Sequence, residues 1–547
     1  MKVLISVAVA LIFTECVDCY IVNPGPLYVA TKGEIWPKPQ DQVKSEDYFV
    51  ITPENFTFLL AENSGNCLIL QNAFERYFKI LQQNTISQAT VRRLKSFRAN
   101  LTEGSNLGLI TNITVNLNGE CSDNDYPSLD INETYILNVT LSAVQLASSS
   151  IWGILRGLES FSQLLYLGSD GYTVRIRLNS TDIYDYPRYK HRGLLLDTSR
   201  HFIPLKQIYQ IIDALEYNKM NVFHWHLVDD QSFPFVSQKF PELSQYGAYD
   251  PELYVYNTTD VQAVIEYARQ RGIRVMPEID TPGHTRSWGA SHPEILTDCS
   301  AVQSGALGPL DPTKTETYTF LNDLLSEVRG VFKDAYIHLG GDEVGFECWE
   351  NNEDIVKYMA SNNISTYEDL ESYYIQKIIN SANSLKFNSI VWEEVFVNGV
   401  TLPNDTIVHV WRDYGNFKWV ETMKSVTESN KPALLSACWY LDHLQTGGDW
   451  QGFYECDPTN FGGNEEEQNL VLGGEACMWT EVVNEYNVVQ RIWPRASAPA
   501  EKLWSAYVDV SDGFDYTLTA QRLEEHVCRM NRRGIPAQPP NAAGYCL

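Results

Sequence analysis

AYIHLGGDE, residues 335 to 343, reads as a short apolar strand that runs into two glycines and ends on two acids, Asp342 and Glu343. The same grammar recurs along the chain in GLLLDTS (193–199), NVFHWHLVDD (221–230), IRVMPEID (273–280), SIVWEEV (389–395), TIVHVWRD (406–413), ALLSACWYLD (433–442) and VLGGEACMWTE (471–481). Helical stretches separate the runs. Eight strands alternating with helices predict a (β/α)8 barrel. Each run is apolar at its start and acidic or aromatic at its end: Asp197, Asp229 and Asp230, Glu278 and Asp280, Asp342 and Glu343, Glu394, Asp413, Tyr440 and Asp442, Trp479 and Glu481. Barrels build their sites at the carboxyl ends of the strands, so these side chains are expected to meet at one mouth. Asp197 and Asp280 have a second reading, as anchors for neighbouring Arg or His.

The chain divides near residue 188. A secretory signal is expected over residues 1–19, an α+β domain over 20–188 and the barrel over 189–547. In the first domain, strand-like runs (48–60, 109–117, 134–146, 173–178) mix with helical patterns, one of which repeats Ile151, Ile154, Leu155, Leu158, Phe161 and Leu165 at helical spacing. At 547 residues, 44% hydrophobic, with 13 Trp and 31 Tyr, the chain has the composition of an ordered multidomain protein. Its formal charge of −28, from 69 acids against 41 bases, argues against nucleic acid as a partner.

The signal has an early Lys2 and an apolar stretch from Val3 to Phe13, too short to span a bilayer. No later stretch reaches eighteen apolar residues, which predicts a secretory-pathway protein, lysosomal or extracellular, without membrane insertion. Nine Asn-x-Ser/Thr sequons fit that route: Asn55, Asn100, Asn112, Asn132, Asn138, Asn179, Asn257, Asn363 and Asn404. Of 11 cysteines, Cys16 and Cys19 fall in the signal. Sequence order suggests the pairs Cys67 with Cys121, Cys299 with Cys348, Cys438 with Cys456, and Cys528 with Cys546, leaving Cys477 as a buried thiol.

A mouth rich in carboxylates and tryptophans suits sugars, because indole faces cover pyranose rings while carboxylates and Arg bind vicinal hydroxyls. Glycoside hydrolysis needs a proton donor and a group that stabilises the cationic anomeric carbon. If Asp342 and Glu343 continue an extended strand, they point to opposite sides and cannot flank one bond as nucleophile and acid. They fit another division of labour: Glu343 protonates the glycosidic oxygen, and Asp342 orients a 2-acetamido group whose carbonyl attacks the anomeric carbon. Burial and the adjacent carboxylate are expected to raise the Glu343 pKa, giving an acidic optimum.

HLGGDEV, with HRGLLLDTSRHF (191–202), HWHLVDDQSFP (224–234), PEIDTPGHTRSW (277–288), CWYLD (438–442) and WPRASAPAEKLW (493–504), resembles the animal β-N-acetylhexosaminidases of glycoside hydrolase family twenty. Within that family it resembles the lysosomal subunits, and the beta type more than the alpha. The resemblance implies Glu343 as acid and base, Asp342 and Tyr440 on the acetamide, and Trp392, Trp411 and Trp479 around its methyl group. It further implies Arg192 on the C3 and C4 hydroxyls, Asp442 and Glu481 on those at C4 and C6, and Asp229 and His284 as positioning residues. It implies a homodimer and no metal or other cofactor. Asp442 followed by His443 predicts a preference for uncharged terminal GlcNAc and GalNAc, since a carboxylate repels a 6-sulfate. Three rival readings remain: a metal hydrolase using His224 and His226, a carbohydrate-binding protein without turnover, and a two-carboxylate glycosidase using Glu394.

Overall fold

The computed structural model describes residues 32–62, 67–83, 104–122, 124–141, 143–169, 174–443, 448–510, 514–541 and 546. The expected signal and Asn100 lie outside them.

The amino-terminal part is one mixed eight-stranded sheet, in the order Thr57–Leu60, Asn112–Leu117, Val144–Ser148, Tyr135–Val139, Val174–Asp185, Asp41–Ile51, Asn106–Ile110, with Tyr166–Ser169 beside Val174–Asp185. Three of the runs read as single strands are broken, the one from 109 to 117 at Thr111, between Asn106–Ile110 and Asn112–Leu117. The run from 48 to 60 turns through Pro53–Asn55, where proline removes a ladder donor. The run from 134 to 146 folds back as the antiparallel pair Tyr135–Val139 and Val144–Ser148.

Helix Ile151–Gln163, capped by the Ser150 side chain accepting from Trp152 N, lies on this sheet. Every residue of that helix is buried, because its far side meets the barrel. There Arg156 donates to the carbonyls of Arg271 and Gly272, at 3.2 and 2.9 Å.

Eight parallel strands then close a barrel in sequence order: β1 (His191–Asp197), β2 (Val222–His226), β3 (Arg274–Glu278), β4 (Tyr336–His338), β5 (Asn388–Trp392), β6 (Ile407–Val410), β7 (Ala433–Leu435) and β8 (Val471–Met478). The alternation of side chains along each strand fills the interior in layers. Val222, Met276, Ile390, Ile407 and Leu434 form an apolar floor. Leu195, Trp392, Cys477 and Trp479, with Trp411 and Tyr440 against them, form the layer nearest the mouth. Between them lie buried His224, His338, His409, Glu278 and Glu475.

Disulfides join Cys67 to Cys121, Cys299 to Cys348, Cys438 to Cys456 and Cys528 to Cys546, and Cys477 is a buried free thiol. No helix among the described residues is long and apolar enough to cross a membrane. The sequon at Asn179 requires a correction. This residue is 1% exposed within strand Val174–Asp185, and its amide donates to Ser45 O at 2.7 Å, so the folded chain has no room for a glycan there. Asn55, Asn132, Asn257, Asn363 and Asn404 are exposed, and Asn112 and Asn138 are half-buried.

Candidate active site

Strand β4 ends at His338, and the two acids stand in the loop beyond it. This corrects the extended-strand geometry. Gly340 and Gly341 have φ of 71° and 98°, and Glu343 itself has φ 52°. A Cβ on Gly340 would lie 1.6 Å from Asp280 Oδ1, so only glycine lets the loop pass that carboxylate. The turn directs both acids toward one side: Asp342 Oδ2 and Glu343 Oε2 are each 3.7 Å from His284 Nε2. His284 is also left-handed, at φ 53°, and backbone strain of this kind in non-glycine residues gathers at functional sites.

The environment separates the two acids. The Asp342 side chain is 11% exposed, whereas that of Glu343 is 57% exposed toward the opening. Partial burial, then the neighbouring Asp342, raises the Glu343 pKa above the ordinary carboxylate range. Burial disfavours charge on His284, yet Asp280, Asp342 and Asp229 together hold its pKa well above that of a free imidazole. The Nδ1 of His284 lies 3.2 Å from Asp229 Oδ1. Asp229 stays well below the usual carboxylate range despite burial, held ionised by hydrogen bonds from His226 and His284.

Three indoles and a phenol wall the pocket. Ring centroids lie 6.2 Å apart for Trp392 and Trp479, 6.5 Å for Trp392 and Trp411, and 5.8 Å for Trp411 and Tyr440. The Trp392 indole donates to Glu278 Oε1 and that of Trp411 to Glu394 Oε2, both at 2.9 Å. These bonds fix the rings. Burial and then Asp342 push Glu394 up to about 8. At acidic pH it is a neutral carboxyl, and a neutral carboxyl is a poor nucleophile.

On the far rim, Asp442 is pushed up to about 6 by burial, opposed chiefly by His443. Arg495 donates to the carbonyls of Leu441 and His443 and so pins this loop. Glu481 is half-exposed and lies 3.5 Å from Arg200.

Arg192 is the site residue that does not arrive. It sits at the start of β1, fully buried at the opposite end of the barrel, where Glu133 accepts two hydrogen bonds of 2.7 Å and the carbonyls of Tyr189 and Lys219 accept the rest. Arg200, three residues past the end of β1, stands at the mouth instead. Its guanidinium pairs with Asp229 at 2.7 Å and Asp197 at 3.1 Å, and lies over the Trp479 ring at 5.0 Å. The strand-end rule itself contains the signal: Arg192 precedes the apolar run GLLLD, and Arg200 follows it.

Asp197 is an anchor, accepting from the backbone of Ser199, Arg200 and Thr480 as well as the Arg200 side chain. Asp280 accepts from Gly341 N at 3.0 Å and shapes the loop. His224 and His226, the two residues of the metal reading, are spent on carboxylates: His224 on Glu475 at 2.7 Å, His226 on Glu278 at 2.6 Å and Asp229 at 2.9 Å.

Residues 189–507 match the glycosyl hydrolase family 20 catalytic domain, and residues 35–164 match a domain described as beta-acetyl hexosaminidase like. The chain belongs to glycosyl hydrolase family 20. It is 45% identical over 538 residues to the mouse beta-hexosaminidase subunit beta, covering 97% of this chain and 95% of that one. The mouse alpha subunit is 42% identical over 517 residues, 94% of each chain. The solved structure of Flavobacterium johnsoniae chitobiase superposes with a TM-score of 0.77 at 29% identity, over 93% of this chain and 74% of that one. This family 20 chain is a glycoside hydrolase, a β-N-acetylhexosaminidase, and its substrate is a glycoside.

Proposed function

We propose that the enzyme removes terminal non-reducing β-linked GlcNAc and GalNAc by the retaining, substrate-assisted route, with Glu343 as acid and base and Asp342 orienting the acetamide. The placement of both carboxyl groups 3.7 Å from His284 Nε2, beside the tryptophan-walled pocket, carries this reading. Half-exposed Glu343, with its raised pKa, meets the departing oxygen as a neutral acid. Asp342, the more buried of the two, aligns the acetamide carbonyl with the anomeric carbon and balances the positive charge that grows on the amide. Trp392, Trp411 and Trp479 enclose the acetamide methyl, and Tyr440 donates to its oxygen.

Arg200 takes the place first given to Arg192: its guanidinium is aimed at the mouth by Asp197 and Asp229, ready for vicinal hydroxyls. Asp442 and Glu481 hold the far side of the ring. Because Asp442 is pushed to about 6, it is largely neutral at pH 4.5, and its repulsion of a 6-sulfate is weaker there than at pH 7.

A homodimer formed through the barrel and residence in the secretory pathway, lysosomal or extracellular, complete the proposal. The discriminating experiment is Asp342→Asn assayed on an aryl N-acetylglucosaminide. Substrate assistance predicts loss of activity together with loss of strong inhibition by a GlcNAc-thiazoline. A mild effect would favour Glu394 as nucleophile.

A further inference from the structure

The middle layer of the barrel departs from the branched aliphatic filling that usually occupies such interiors. Alternation aims His224 and His226 of β2, Glu278 of β3, His338 of β4, His409 of β6 and Glu475 of β8 inward, all of them buried. Desolvating ionised groups is costly, and well-packed apolar residues would be at least as stabilising. The hydrogen bonds of this layer lead to the mouth. Glu475 Oε2 meets His224 Nδ1 at 2.7 Å, and His224 Nε2 lies 3.3 Å from Glu278 Oε2. The same Glu278 oxygen meets His226 Nδ1 at 2.6 Å, His226 Nε2 meets Asp229 Oδ2 at 2.9 Å, and Asp229 Oδ1 meets His284. The other oxygen of Glu278 accepts from the Trp392 indole at 2.9 Å and lies 3.1 Å from His338 Nδ1.

We propose that Glu278 is a positioning residue for hydrolysis, one buried carboxylate that fixes the Trp392 wall through one oxygen and, through the other, His226 and hence Asp229, His284 and the two acids. The inference rests on the assignment of Asp342 and Glu343 given above. The charges of the layer agree with it. His226 faces Glu278 on β3, Asp229 beyond β2 and Asp197 on β1, with Arg200 bridging the latter two. Burial opposes its charge, but these carboxylates raise its pKa to about 10; His224, between Glu475 and Glu278, rises to about 9. Burial likewise opposes charge on Glu278 and Glu475, yet the histidines hold both well below the ordinary range. Burial pushes His191, His338 and His409 down. Two imidazoliums therefore face two carboxylates, a balanced set that does not titrate in the acidic range. Glu278 acts by holding geometry and charge constant beneath groups that do titrate.

Glu278→Gln keeps length and polar atoms but removes the charge, and is tested in the full-length enzyme. The expected result is a fall in kcat of about 10- to 100-fold, the loss usual for a partner one shell outside a site, with KM altered less than about threefold. The alkaline limb of the pH profile should also move, because Asp229 and His284 lose a charged support. Glu278→Asp should not rescue, since the shorter side chain reaches one branch only. A variant with lowered Tm but wild-type kcat and pH limb per folded molecule would overturn the proposal. If Glu278→Gln does not fold, the wild-type enzyme with 15N-labelled histidine decides: His226 doubly protonated at pH 8 supports the proposal, and His226 neutral at pH 8 overturns it. Glu343→Gln separates the two levels. If that variant stays active, the catalytic assignment fails; if it is dead while Glu278→Gln turns over normally, the positioning role alone fails.

Discussion

The two ends of the barrel carry buried charge in opposite ways. At the amino end, Arg192 and Arg156 share Glu133, and Lys219 pairs with Asp185 at 2.8 Å, every partner being 1% exposed or less. Three cations there share two acids, and each cation is paired and hydrogen-bonded, which leaves nothing to react. At the carboxyl end, Asp229, Asp280, Asp342 and Glu343 crowd around His284, and Glu394 feels the charge of Asp342, with acids outnumbering nearby cations. Burial first, and then that imbalance, raises Glu343 above the ordinary carboxylate range and Glu394 to about 8. Buried charges locked in pairs serve the fold, and a crowd of acids around one imidazole serves the chemistry.

The contrast breaks most sharply at Glu343. Glu343→Gln should lower kcat by about 10³- to 10⁴-fold, the upper range for general acid–base catalysis, with Tm nearly unchanged; steady-state kinetics and calorimetry read both. Glu133→Gln should do the reverse, leaving two buried guanidiniums without a counter-charge. A loss of about 3–5 kcal/mol in denaturant unfolding is expected, with wild-type kcat in the molecules that remain folded.

The pH responses should also separate. Activity that depends on neutral Glu343 is present below its raised pKa and is lost as pH climbs through it, so the alkaline limb of kcat/KM should lie above that of an ordinary glutamate. Stability from His226 follows another course. Its folded pKa of about 10 exceeds the unfolded value of about 6.5, so this contribution is complete below 6.5 and declines steadily toward pH 10. Urea melts between pH 5 and 9 should therefore lose stability as pH rises above about 6.5. The smallest effect is expected at Asp442→Asn. Turnover of a 6-sulfated aryl substrate relative to the unsulfated one should rise by severalfold at pH 7, and by less at pH 4.5, where Asp442 is already largely protonated.

The barrel was legible because each strand is a compact apolar run with a polar end, a pattern that survives without any knowledge of contacts. The mouth was legible for the same reason, and Arg192 shows the limit. It was placed through the resemblance alone, while its position before the run GLLLD already put it at the wrong end. The turn at Asp342 and Glu343 could not be read as left-handed, because Gly-Gly permits many conformations and the deciding neighbour, Asp280, is about sixty residues away. The polar middle layer was hidden differently. A histidine at an inward position looks the same in sequence as one at an outward position until the register of the strand is known. Asn179 fits its glycosylation pattern fully and fails only because its strand is covered.

Helix Ile151–Gln163, buried on every side, also bears on how the enzyme can be taken apart. Glu133 and Asp185, the counter-charges of Arg192 and Lys219, belong to the first sheet and its approach, whereas both cations belong to the barrel. A fragment cut at residue 188 would keep every group at the mouth yet strand two cations on a newly wetted floor. The catalytic half is thus not a portable module: shuffling it onto another amino-terminal domain would require transplanting those acids as well.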